Sequence, residues 1–379
     1  MILGEFLQWM ALAPAGQRAE AGHALACAYL YSEEDAETKT AMEAALTVLL
    51  DDEAPEVRYA LADALGASEI APRHIIVSLA ADHAEISAVV LSRSPLFIDA
   101  ELVDIVAAAS VILQEAVARR PVVSKIVAAA IAEVGEREAC VALLANPEGA
   151  IARISFQRIA ERFGEDPKVR QALFGREDLS PAVHQLLVRS LGDQLGAMLI
   201  EKSWLPEARA RTVTREACDR ATVAIAAESE TEELPALVEH LRVTGQLTTA
   251  LLLRAVCAGN VAFFETALGV LARVPLRRIT SLVRAGRISA LRAAYSRAGL
   301  PPVAFDAFVA ALGVWRQVAA NGGPEDRYRF TVQTVDAVLA RYANISDGEM
   351  NELASMLRRF AADQTREAAR DYARAAVAA

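Results

Sequence analysis

Lysine is scarce in this 379-residue chain: Lys39, Lys125, Lys168 and Lys202 stand alone among 39 basic residues. With alanine at about a fifth of all residues, that imbalance suits a GC-rich genome and carries no functional weight. Strand patterns are missing as well. No run of alternating Val, Ile, Thr and aromatic residues is bounded by Asn-Gly or Asp-Gly turns, which leaves an all-α chain. The four cysteines (Cys27, Cys140, Cys218, Cys257) lie far apart, each within an apolar stretch. That spacing excludes a disulfide framework and a four-ligand zinc site, and it predicts small core residues in a thiol-reducing, cytoplasmic setting.

Long uncharged runs are absent despite a positive mean hydropathy. A membrane span needs roughly 18–20 nearly uncharged residues, and stretches such as 6–17 and 243–253 stop short, so no transmembrane segment is expected. No Lys or Arg precedes Arg18, so the basic start of a secretory signal is missing too. Catalytic signatures are equally absent. There is no GxxxxGK[ST], no GxGxxG between a strand and a helix, no HExxH, no GxSxG and no CxxC. The histidines (His23, His74, His83, His184, His240) are scattered, and His83-Ala84-Glu85 is half of a zinc-deaminase pattern whose Pro-Cys-x-x-Cys half does not exist here. A non-enzymatic protein without cofactor or metal is the expectation.

What the chain does contain is repetition. Apolar anchors at i, i+4 and i+8 open at Val57 and again near Ile86, Val123, Ile151 and Val183, about 28–37 residues apart. This is the spacing of helix pairs that bury their faces only by stacking on neighbours, so an α-solenoid of HEAT-like pairs followed by a second helical domain is predicted. Punctuation frames pairs at 55–66 with 72–81, 84–93 with 99–109, 121–134 with 136–145, and 148–163 with 167–174. Prolines 55, 72, 121, 147, 167 and 181 sit near helix starts, and glycines 66, 135, 164 and 192 near helix ends. Asp52, Asp82, Asp99, Asn146 and Asp166 are placed to cap the helices that follow. A helix over 16–31 should bury Ala24, Leu25, Ala28 and Tyr29.

Four segments follow: N-terminal helices over 1–50, repeats over 51–200, a C-terminal helical domain of shorter helices over 201–320, and a linker with terminal helices over 321–379. The linker is Asn321-Gly322-Gly323-Pro324. Beyond it, Ser346 and Glu349 have capping-box spacing ahead of a last helix carrying Met350, Leu353, Leu357 and Phe360.

Several of these phrases form a family pattern. Ala45 to Asp52 leading into Val57-Arg58, then Ser94-Pro95-Leu96 with Asp99 and Leu102-Val103, then Arg176-Glu177-Asp178-Leu179, resemble an uncharacterised alphaproteobacterial HEAT-like repeat family classed as a domain of unknown function. Leu253 to Asn260 with Phe263-Phe264-Glu265, and Ala298 to Pro301, are similar to its C-terminal part. The resemblance runs over roughly 5–320 and implies a helical-repeat protein of the cytoplasm. It supplies no catalytic residues.

Charge is segregated. Residues 33–56 hold nine carboxylates against one lysine, whereas 266–305 hold none and carry Arg273, Arg277, Arg278, Arg284, Arg287, Arg292 and Arg297 in a chain of net charge −10. The cluster Asp51, Asp52, Glu53 and Glu56 has the oxygens for a divalent cation, but such acids more often favour a helix N-terminus. For the arginines, three readings compete: a solvated or internally paired face; a dock for an acidic protein surface, including 33–56 of a second copy; and a site for an anionic small ligand, nucleic acid or lipid. Nucleic acid is disfavoured because Tyr295 is the sole aromatic residue between Phe264 and Phe305. The expected role is a scaffold or regulatory adaptor that offers a helical-repeat surface to a protein partner. The alternative is a sensor that binds a phosphorylated or other anionic ligand at the arginine face.

Overall fold

The computed structural model describes residues 2–321, 327–342 and 348–378, and among them the chain is all-α. It divides into two compact units, Met1–Leu179 and Ser180–Ala379. The first comprises α1 (Ile2–Leu12), α2 (Ala15–Tyr31), α3 (Ala36–Val48), α4 (Pro55–Leu65), α5 (Arg73–Ala80), α6 (Ala84–Arg93), α7 (Asp99–Ala108), α8 (Val111–Ala118), α9 (Lys125–Val134), α10 (Arg137–Ala145), α11 (Arg153–Phe163) and α12 (Pro167–Phe174).

Two rows of helices alternate along this unit. One runs α2, α4, α6, α8, α10, α12, each helix packing on the next, and in the other α7 packs on α9 and α9 on α11. The pairing expected over 55–108 and 125–174 matches these helices closely, but α8 is additional. It falls in 110–120, where the chain passes from Ala108 through Ala109-Ser110 with no Gly or Pro, and Ser110 makes no side-chain cap. Missing it shifts the register. The copies at Val57 and Ile86 belong to the first row, whereas those at Val123 and Ile151 precede α9 and α11 of the second, which accounts for the wide interval between the second and third. With α8 included, helices of the same row from α4 onward start about 26–30 residues apart.

Polar side chains, buried at Arg120 and half-buried at Asn146 and Arg176, join segments at nearly the same interval along the chain. Arg120 donates to the carbonyls of Leu91 (2.6 Å) and Ser94 (2.7 Å), Asn146 to those of Ala118 (3.0 Å) and Arg120 (2.8 Å), and Arg176 to that of Asn146 (3.1 Å). Each bond satisfies a carbonyl left open at a helix end, and a charged donor makes such a bond worth about 1.5–3 kcal/mol. Asn146 is thus a tie to the end of α8 and not a cap. Of the five expected caps only Asp166 serves as one, accepting from the amides of Lys168 (2.8 Å) and Val169 (3.2 Å). Asp52 is gripped by Arg18 through two bonds of 2.8 Å, Asp82 pairs with Arg58, and Asp99 begins α7 one residue after the N-cap position at Ile98. On α2 the buried stripe is Gly22, Ala26 and Leu30, so the expected face is rotated: Ala24 is exposed and Leu25, Ala28 and Tyr29 are half-buried.

The second unit holds α13 (Pro181–Glu201), α14 (Glu207–Glu228), α15 (Leu234–Val243), α16 (Thr249–Cys257), α17 (Val261–Ala272), α18 (Leu276–Arg284), α19 (Ile288–Arg297), α20 (Phe305–Ala320), α21 (Arg327–Tyr342) and α22 (Gly348–Ala378). The fifth repeat copy, at Val183, therefore lies in this unit, and the units part about twenty residues before the expected boundary at 200. Residues 205–320 are not uniformly short helices, because α14 spans 22 residues against α13. Gly192 is interior to α13 and ends nothing. A methyl group there would overlap Cys218 Sγ of α14, so glycine is what lets the two helices approach.

The core of this unit gathers Phe263 and Phe264 of α17, Tyr295 of α19 and Phe305 and Phe308 of α20, with Phe264 and Phe308 stacked at 5.0 Å. Leu357 and Phe360 of α22 join it, Leu353 packs against it, and Met350's surroundings, like the Gly322-Gly323-Pro324 linker and Ser346, lie outside the described residues. Among the described residues one stretch, Pro302–Ala320, is long and apolar enough to cross a membrane, and its Phe305, Phe308, Ala311 and Leu312 are buried in this core. Cys140, Cys218 and Cys257 are buried and Cys27 is half-buried. Burial pushes the thiols of Cys140 and Cys257 up to about 11 and about 12, beyond nucleophilic use at neutral pH.

Candidate functional site

The seven arginines do not share one helix. Pro275 lacks the amide a continuing helix needs, α17 ends at Ala272, and Arg273 takes a left-handed conformation (φ 53°). Arg277, Arg278 and Arg284 lie on α18, Arg287 precedes α19, and Arg292 and Arg297 lie on it. All seven are exposed, while Ile279, Val283, Leu291 and Tyr295 turn the opposite faces into the core. Among the described residues only Arg292 reaches a carboxylate within salt-bridge distance, Asp306 at 3.3 Å, and its guanidinium also covers the Phe305 ring at 4.3 Å. Elsewhere arginine is usually paired, as in Arg18–Asp52, Arg58–Asp82, Arg137–Asp166 and Arg359–Glu216. Apart from Arg292, these arginines are exposed and make no salt bridge among the described residues.

Of the acidic stretch, Asp52 is committed to Arg18, Asp35 caps α3, and Glu43 lies 3.6 Å from His74. Glu33, Glu34, Glu37, Asp51, Glu53 and Glu56 remain exposed. Asp52 thus lends its oxygens to the Arg18 guanidinium, and no group of three metal-ligating side chains occurs among the described residues.

A second surface escaped sequence reading. Ile70, Ile98, Ile126 and Ile154 recur every 28 residues and are 63%, 60%, 63% and 70% exposed. They occupy the N-terminal ends of α5, α7, α9 and α11: Ile126 and Ile154 are second in their helices, Ile98 is the N-cap of α7, and Ile70 precedes α5 by three residues. Val122, three residues before α9, is also exposed. Arg73, Lys125 and Arg153 are the first residues of α5, α9 and α11. A cation there opposes the helix dipole, and Arg73 is answered within the fold by Glu101 and the Leu96 carbonyl. The signal was present in the sequence as an exact interval, hidden because the buried anchors were sought instead.

The second unit contains a cleft of about 730 Å³ between α14, the start of α16, residues 301–304 and α22. Arg254, buried beside it, donates to the Glu216 carbonyl (3.0 Å), lies 3.7 Å from Asp219, and stacks its guanidinium 5.5 Å from the Phe360 ring. Its Nε has no partner. Burial holds the Asp219 carboxyl above its ordinary range, with Arg254 and Arg215 opposing that rise. A smaller groove of about 460 Å³ follows α8, α10 and α12, and its Arg119 and Arg137 are already paired with Glu115, Glu138 and Asp166.

A family model described as an uncharacterised protein conserved in bacteria (DUF2336) matches residues 86–347, about two thirds of the chain. The match starts within α6 and runs past residue 320 through α21, leaving α1–α5 and α22 outside it. No curated protein and no solved structure matches the chain.

Proposed function

We propose that this chain, which belongs to the DUF2336 family of bacterial proteins, is a non-enzymatic adaptor that docks a protein partner along a HEAT-like helical-repeat surface. The two rows of helices joined at intervals near 28 residues support reading the first unit as a short solenoid. The observation that carries the reading is the row Ile70, Ile98, Ile126 and Ile154. Four large apolar side chains exposed at one interval, at or near the starts of α5, α7, α9 and α11, support reading these helix ends as a docking surface. Lys125, the first residue of α9 and next to Ile126, suits a partner whose docking segment places an acidic residue beside an apolar one.

Photo-crosslinking side chains placed at 98, 126 and 154 in native cells should trap one common partner. Lys125→Glu with Ile126→Ser should weaken that complex at least tenfold while leaving the melting midpoint unchanged. Crosslinks to unrelated proteins at the three positions, or full affinity in the double variant, would reject the proposal.

The exposed arginines favour a second reading, in which the α18–α19 face meets an anionic ligand or an acidic protein surface. The exposed carboxylates of 33–56 in a second copy are a chemically suitable partner for that face.

A further inference from the structure

We propose that the cleft between α14, the start of α16, residues 301–304 and α22 is a binding site for a small molecule with one anionic head and an apolar body. Its lining combines two chemistries. Pro301, Val303, Ala304, Leu353 and Met356 supply apolar surface. Arg215, Thr212 and the first turn of α16 with Thr248, Thr249 and Ala250 supply polar surface. At about 730 Å³ the space falls within the range of small-molecule sites, roughly 300–1,000 Å³.

The polar side is built for an anion. Arg215 is exposed to the cleft and makes neither a hydrogen bond nor a salt bridge among the described residues. Thr248 caps α16 through Leu251 N, which leaves the amides of Thr249 and Ala250 without intrahelical acceptors and the positive end of the helix dipole turned to this wall. The negative charges of the cleft are already answered. Glu216 is held by Arg359, and Asp219 lies 3.7 Å from the buried Arg254, which leaves Arg215 as the cation in excess. The local excess is therefore positive, and an anion with a hydrocarbon body satisfies both chemistries. A carboxylate or a phosphate monoester provides this chemistry.

This site is separate from the isoleucine row and from the α18–α19 arginines, so its test does not depend on the adaptor reading. Calorimetric titration of the full chain with hexyl phosphate, hexanoate, inorganic phosphate and hexanol checks it. Hexyl phosphate or hexanoate should bind once per chain, at least tenfold more tightly than inorganic phosphate or hexanol, and the stronger of the two identifies the head group. Arg215→Ala should weaken binding at least tenfold with an unchanged melting midpoint, and Val303→Trp, which fills the apolar wall, should abolish it. Arg277→Ala, on the exposed face, should have no effect. The proposal is overturned if no probe binds, if inorganic phosphate binds as well as hexyl phosphate, if Arg215→Ala binds normally, or if Arg277→Ala is the variant that loses the ligand.

Discussion

Arg359 Nε of α22 lies 3.1 Å from Oε1 of Glu216 on α14, 143 residues earlier in the chain. Two neighbours reinforce that junction: Asp363 pairs with Arg220 of α14 at 2.5 Å, and Phe360 lies under the buried guanidinium of Arg254. The last helix, outside the family match, is thus fastened onto helices inside it by charge at its surface and an aromatic ring at its core.

The ring should dominate. Phe360 is buried, and removing such a side chain costs about 3–5 kcal/mol. The ion pair is half-exposed on the Arg359 side, where such pairs give about 0–1 kcal/mol. Phe360→Ala should therefore lower the denaturation midpoint substantially, and Arg359→Ala only slightly. Equal effects in chemical denaturation would show that charge, not burial, holds α22.

Gly192 makes a sharper test of packing. Gly192→Ala removes chain entropy from the unfolded state and would help in an open helix, but here the new methyl meets Cys218 Sγ. Overpacking of this kind costs about 1–3 kcal/mol. Cys218→Ala in the same chain should recover most of the loss, and a double-mutant cycle measures that coupling directly. Additive effects would mean that the methyl finds room elsewhere.

These elements show what was legible in the sequence. Helix content, most boundaries in 55–174 and the arginine segment followed from periodicity, proline placement and charge, because each is a local property. Helix α8 did not, since Ala107-Ala108-Ala109-Ser110 has no breaker and the turn there is imposed by packing against α6 and α10. Gly192 read as a helix end because glycine serves both chain breaks and close helix contacts, and only the neighbouring helix distinguishes them. Asn146 read as a helix cap, and the ties made by it, Arg120 and Arg176 reach carbonyls 26–30 residues earlier, which no local pattern displays. The cleft was invisible, as its walls come from segments separated by more than a hundred residues.

Glu265 predicts a pH dependence. Its side chain is buried on α17, its Oε2 accepts from Thr280 at 2.7 Å, and its Oε1 has no partner. Burial raises its carboxyl above the ordinary range, with the Thr280 bond and Arg284 opposing. For an acid raised in the folded state, the stabilising contribution is complete below the unfolded pKa and is lost as pH rises through the folded one. Near pH 8 the ionised group is therefore a burden. Glu265→Gln should raise the melting midpoint there by about 2–4 °C, the equivalent of about 1 kcal/mol in a domain of this size, with the gain shrinking toward pH 4. A gain that is constant from pH 4 to 8 would contradict the assignment to ionisation.

The exposed arginines close the argument, because their pairing state makes opposite demands on folding and on binding. Arg277, Arg278 and Arg284 are exposed and have no salt bridge among the described residues, so reversing all three removes no ion pair from the fold. The triple variant Arg277→Glu, Arg278→Glu and Arg284→Glu should melt within a few degrees of the parent, the loss of Arg284 near Glu265 being its main cost. If the face docks an acidic surface or an anionic ligand, the same variant should abolish an interaction that in the parent weakens as salt rises, since exposed charges are screened over about 8 Å at physiological ionic strength. Unfolding of the variant would show that the arginines hold the second unit together. A folded variant that keeps every interaction would leave the isoleucine row as the docking surface.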